Sequence, residues 1–117
     1  MNVPGRRQQR LGDLIRAEMA AMIARELKDP RIGFTTVVEV KVTPDLREAR
    51  VYVSVLGSAE QQAETLRGLT AAASFVRREL AQRLRLHRAP AISFHLDHSI
   101  EQDARIEELL TKIKQES

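Results

Sequence analysis

Residues 58–88 read SAEQQAETLRGLTAAASFVRRELAQRLRLHR, one helical pattern that loses its bulk halfway and then turns basic. Leu66, Leu69, Ala73, Val76, Leu80 and Leu84 recur at steps of three and four residues, which sets them on one side of a helix facing a core. A single helix of that length would be long for a small domain. The bulk-free run Ala71-Ala72-Ala73-Ser74 sits in the middle of the seam, so the spacing predicts a kink there and two helices. Immediately after it come Arg77, Arg78, Arg83, Arg85 and Arg88. If helix continues to Arg88, then Arg77, Arg78, Arg85 and Arg88 share a sector of about 100°, with Arg83 outside it. A kink without side-chain bulk lets a phosphate backbone approach closely, and guanidinium groups engage phosphates bidentately. The pattern points to nucleic-acid binding.

Working toward the N-terminus, Val51, Val53 and Val55 alternate with Arg50, Tyr52 and Ser54, and Val38, Val40 and Val42 alternate with Glu39 and Lys41. Both rows have the period of half-buried strands. Pro44 and Asp45 lie in the segment joining them, so a hairpin with a longer loop is expected. Gly57 and Ser58 end the second strand, and Ser58 with Gln61 forms a capping box for the next helix. Leu11, Leu14, Ile15, Met19, Met22, Ile23 and Leu27 give an amphipathic first helix over 7–28, stopped by Asp29-Pro30. Toward the C-terminus, Ile92, Phe94 and Leu96 alternate with Ser93, His95 and Asp97 as a third strand. Ile106, Leu109, Leu110 and Ile113 suggest a short last helix. Three strands with one apolar face need helices on that face. The expected fold is a two-layer α+β domain spanning 1–117, with 1–6 and 113–117 flexible.

Composition narrows the function. The chain has 117 residues, 43% apolar and 30% charged, no cysteine and a net charge of +3. Seven basic residues face four acids between Arg6 and Arg31, five arginines face Glu79 between Arg77 and Arg88, and the last 21 residues are acidic. Such asymmetry suits an anionic partner on one face. Arg6, Arg7 and Arg10 at the start of the first helix supply a second candidate contact. No apolar run is long enough to span a membrane and no secretory signal is visible, so a cytoplasmic protein is expected. The aromatics are Phe34, Phe75, Phe94 and Tyr52, too few for base stacking to dominate. His95, Asp97 and His98 do not converge as a metal site needs. No phosphate-binding loop or nucleophile motif is present. Neither an enzyme nor a cofactor or small-molecule binder is expected.

The segments Asp29-Pro30-Arg31-Ile32, 37–46 (VVEVKVTPDL), 49–57 (ARVYVSVLG), 75–80 (FVRREL) and 84–86 (LRL) together resemble the bacterial ribosome-binding factor A family. So do Asp97-His98-Ser99-Ile100 and 105–110 (RIEELL). The resemblance runs in order along almost the whole chain. It implies a type II KH-like domain, α-β-β-α-kink-α-β with a short C-terminal helix. It further implies binding to the free 30S subunit, help in late maturation and processing of 16S rRNA, and no membrane. A monomer is expected, since no exposed apolar strand or heptad seam demands a dimer. In that family an Ala-x-Gly motif marks the kink, and alignment sets it on Ala72-Ala73-Ser74, with Ser74 at the glycine position. The RNA-binding residues expected are therefore Ala72, Ala73, Ser74, Arg77, Arg78, Arg85 and Arg88, with Arg6, Arg7 and Arg10. The alternative is a KH-like protein-interaction module without direct RNA binding.

Overall fold

A computed structural model describes residues 5–97, in the order α1 (Arg6–Arg25), β1 (Thr35–Val42), β2 (Glu48–Val55), α2 (Ala59–Ala71), α3 (Ala73–Arg83) and β3 (Ala91–Leu96). The C-terminal helix expected around Ile106–Ile113 and the end 113–117 lie outside the described residues. The sheet runs β1-β2-β3, with β1 antiparallel and β3 parallel to β2. Ile15, Met19 and Met22 of α1, Leu69 of α2, and Val76 and Leu80 of α3 bury against Val42, Ala49, Val51, Val53, Val55 and Phe94. All three helices thus cover one sheet face, the two-layer α+β arrangement expected and one consistent with a KH-like domain.

The strand reading needs one correction. A β-bulge falls between Val37 and Glu39, so Val37 pairs with Val53 and Glu39 with Tyr52. The extra residue is Val38, and the inward row is Val37, Val40 and Val42 rather than Val38, Val40 and Val42. The doublet Val37-Val38 hid the slip, because strict alternation with Val40 and Val42 selects Val38, and Val37 next to it is the same residue type. Phe94 is buried in β3 with Ile92 and Leu96 packed beside it, as expected.

The first helix ends three residues short of its expected limit. The Leu27 N–H reaches back to the Met22 carbonyl at 3.0 Å, which widens the final turn before Asp29-Pro30 arrives. Gly12 lies where α1 crosses β1, and a Cβ there would sit 2.9 Å from the Val40 carbonyl oxygen. Gln8 donates its Nε2 to the Val42 carbonyl at 2.9 Å, fixing the same crossing nearer the N-terminus. The capping box forms as expected: Ser58 Oγ accepts from the Gln61 N–H, and Gln61 Oε1 accepts from the Ser58 N–H.

The turn after α1 is held onto α2 by two features. Gly68 leaves room for Ile32, whose Cγ1 would be 2.8 Å from a Cβ at that position. Thr65, fully buried, accepts a hydrogen bond from the Gly33 N–H at 3.0 Å and donates to the Arg31 carbonyl at 3.3 Å. Nothing in the periodicity singles out Thr65, since a threonine on an inward helix face resembles any small side chain.

Candidate nucleic-acid interface

The kink falls at Ala72, inside the bulk-free run. Its backbone (φ −86°, ψ −4°) lies in the bridge region, and its N–H is shared between the Gly68 and Leu69 carbonyls at 3.2 and 3.0 Å. No residue here takes a positive φ, so glycine is not required and Ser74 is accommodated without strain. Ser74 is exposed in the first turn of α3 and caps nothing, because the helix begins one residue before it. That first turn carries neither a side-chain cap nor an acidic residue. A helix start leaves its first N–H groups without intrahelical acceptors, and here the side chains beside them are Ala73, Ser74 and the partly exposed Phe75.

The arginines divide into two groups. Arg77 and Arg78 lie on α3 and are exposed, while Val76 and Leu80 on the same helix are fully buried. Arg77 also donates Nε to the Ala89 carbonyl at 3.0 Å, tying α3 to the loop that leads into β3. Arg85 and Arg88, expected in the same helical sector, are not in the helix. α3 ends at Arg83 with a Schellman closure: the Leu86 N–H bonds the Ala81 carbonyl at 2.9 Å and the Arg85 N–H bonds Gln82 at 3.3 Å. Arg85 occupies the left-handed position of that closure with φ 52°. The four arginines therefore form no single helical stripe. The Arg77 bond nevertheless brings its side chain against the segment that carries Arg88.

Arg83 is a structural residue. Its guanidinium, about a quarter exposed, bridges Glu18 at 3.4 Å and Glu79 at 3.2 Å and also engages Glu26, so it pins α3 to α1. The hydrogen bond from Arg83 holds the Glu26 carboxyl below its ordinary pKa and raises that of the arginine. Sequence spacing had only set Arg83 outside the sector. Its role depends on Glu18 of α1 and on Glu26, the residue that caps the C-terminus of α1.

Arg6, Arg7 and Arg10 are exposed on the first turns of α1. Gln8, between them, is bonded to Val42 at the end of β1, and Val42 pairs with Ala49 at the start of β2. The Ala91 N–H, at the start of β3, bonds the Arg47 carbonyl at 2.8 Å. The N-terminal arginines, Arg47 and the loop bearing Arg88 consequently meet at one end of the sheet. Arg47 was not among the expected contacts, and only strand register reveals it.

Elsewhere, Phe34 and Leu56 are 75% and 76% exposed and line a hollow of about 560 Å³ with Pro30, Glu60 and Glu64. Among the described residues, no group of histidines and acids is arranged to hold a metal ion; His98 of the candidate cluster lies outside them. Nor, among these residues, is any helix long and apolar enough to cross a membrane.

The chain matches the family model described as ribosome-binding factor A over residues 7–110. It is 46% identical to a ribosome-binding factor A of Halothermothrix orenii over 110 residues, covering 94% of this chain and 90% of that one. A Thermotoga maritima protein assigned as a ribosome binding factor A, solved by NMR, superposes with a TM-score of 0.68 at 38% identity, covering 81% of this chain and 90% of that one. A Thermus thermophilus ribosome binding factor A, a homology model fitted into a cryo-EM map of its 30S complex, gives a TM-score of 0.55 at 30% identity, covering 73% of this chain and 93% of that one. With the family model spanning nearly all of α1 through β3 and beyond, this chain belongs to the ribosome-binding factor A family.

Proposed function

We propose that this chain binds the free 30S subunit through 16S rRNA and assists late maturation and processing of that RNA. It acts in the cytoplasm as a monomer, without a cofactor and without catalysis of its own. The observation that carries the reading is the start of α3: uncapped, free of acids, lined by Ala72, Ala73 and Ser74, and followed at once by exposed Arg77 and Arg78. A helix N-terminus carries partial positive charge and unpaired N–H donors, which suits a phosphate. Two guanidinium groups within the next turn add charge-assisted donors of matching geometry. Arg88, and Arg6, Arg7 and Arg10 at the sheet end, extend the charge for a backbone longer than one nucleotide, and Arg85 contributes from the helix closure. Membership of the ribosome-binding factor A family and the 30S complex formed by its Thermus relative support the choice of RNA.

Sedimentation of cell extract tests this directly. Co-migration with free small subunits and absence from translating ribosomes is the expected result, with precursor 16S rRNA accumulating when the protein is lost. Even distribution across free protein fractions, with no small-subunit peak, overturns it. The exposed Phe34–Leu56 hollow favours a second reading, a protein-docking module. Purified chain that binds no rRNA at low salt, yet still sediments with small subunits, would establish that one instead.

A further inference from the structure

The sheet face opposite the helices carries a feature that the helix–kink–helix does not use. Lys41 of β1 pairs directly with Arg50 of β2, and Arg50 with Ser93 of β3. The next row places Tyr52 between Glu39 and His95. The Tyr52 and His95 rings are 5.4 Å apart between centroids, tilted by 33°, and Lys41 Nζ lies 5.6 Å from the Tyr52 ring centre. Ser93 Oγ and His95 Nε2 are 2.8 Å apart, a hydrogen bond that orients the imidazole. Like charges directly opposite on neighbouring strands are destabilising. Glu39 and Glu48 border the pair, yet among the described residues Lys41 and Arg50 take part in no salt bridge. Two unpaired cations beside two rings, on a face that no described helix covers, are complementary to an anionic chain with flat bases.

We propose that this outer sheet face is a second nucleic-acid site, binding unpaired nucleotides of single-stranded RNA. A base stacks on the Tyr52–His95 pair, and its flanking phosphates are held by Lys41 and Arg50. Duplex RNA, whose bases are stacked inside the helix, gains nothing from the rings. The helix surface and this one lie on opposite sides of the sheet, so the molecule can hold a structured element and a neighbouring single strand together. This goes beyond the rRNA reading above, and it stands or falls separately.

The protein carries its own reporter, because Tyr52 is the one tyrosine and there is no tryptophan. Titration of the full chain with a short unlabelled oligouridylate should quench tyrosine fluorescence in step with binding followed by anisotropy of a labelled copy. Tyr52→Leu should weaken that oligonucleotide about fivefold or more, the loss of one stacked base. Tyr52→Phe, which keeps the ring, should restore it, and Lys41→Ala with Arg50→Ala should lower both affinity and salt dependence. Arg78→Ala on the helix face should leave the quench intact while reducing small-subunit binding. Oligonucleotide binding without quenching, or a folded Tyr52→Leu variant that binds as the parent does, overturns the sheet site without touching the assembly reading. Absence of any oligonucleotide binding likewise overturns it, and would assign the face to a protein surface.

Discussion

Arg85 holds a left-handed backbone that glycine adopts far more cheaply. The Schellman closure needs that conformation whatever the side chain, so the arginine sits there at a local cost. Arg85→Gly should therefore raise stability by about 0.5–1 kcal/mol, while Arg85→Val should lower it. If the guanidinium contacts RNA, the same glycine variant should bind rRNA more weakly; chemical denaturation and a binding titration read the two effects separately. Arg83 gives the opposite case. Arg83→Met removes the bridge to Glu18, Glu26 and Glu79, so the thermal midpoint should fall by several degrees with little direct effect on RNA affinity at low temperature. The pH profile should change too. Glu26 titrates below its ordinary 4.5 in the folded chain because Arg83 donates to it. The folded state then binds fewer protons than the unfolded one, so this contribution is complete above about pH 4.5 and is lost as pH falls below it. The parent should lose stability across that acid range more steeply than Arg83→Met, as measured by midpoints at several pH values.

Among the elements, the helix pair was legible because its seam, its bulk-free centre and its capping box are local signals. Leu69, Val76 and Leu80 are buried as their spacing predicts, and the break falls at Ala72 within the expected run. The end of α3 was not legible, because Leu84-Arg85-Leu86 keeps helical spacing while nothing in it is a glycine. Only the hydrogen bonds to Ala81 and Gln82 show that the chain has turned. The bulge in β1 was hidden for the same kind of reason, by two adjacent valines of equal polarity. Thr65 escaped because its partners lie more than 30 residues away, and Arg83 because two of its three acidic partners, Glu18 and Glu26, do. The kink itself invites a substitution. Ala72→Glu adds bulk and negative charge where α3 presents its first N–H groups. Ala72 is only partly buried, so the thermal midpoint should move little. Small-subunit binding should drop about tenfold or more, on the scale of a lost charge-assisted contact. A folded variant that still co-sediments normally would locate the RNA contact away from α3.

At the scale of the whole molecule, the basic groups lie on several elements rather than on one helix, and strand register gathers part of them at one end of the sheet. Such a surface should bind RNA with a steep salt dependence and little sequence preference. Each phosphate contact removed should reduce the log–log salt slope by about 0.7–0.9. An Arg78→Ala/Arg88→Ala double variant is thus expected to lose up to about two such steps, read from rRNA binding curves at several salt concentrations. Equal slopes for parent and variant would exclude both residues from the interface. Among the described residues the same sheet leaves β1 at an edge, where amides that no described strand pairs invite a strand from another chain. The extra residue at Val38 spoils that invitation: it interrupts the repeat of donors and acceptors halfway along the strand, so an incoming strand loses register. Deleting Val38 would restore perfect alternation, with Val37, Val40 and Val42 still inward, and the fold should survive. What should not survive is solitude in concentrated solution. The shortened chain is expected to form edge-to-edge oligomers by sedimentation velocity at concentrations where the parent sediments as a single small species.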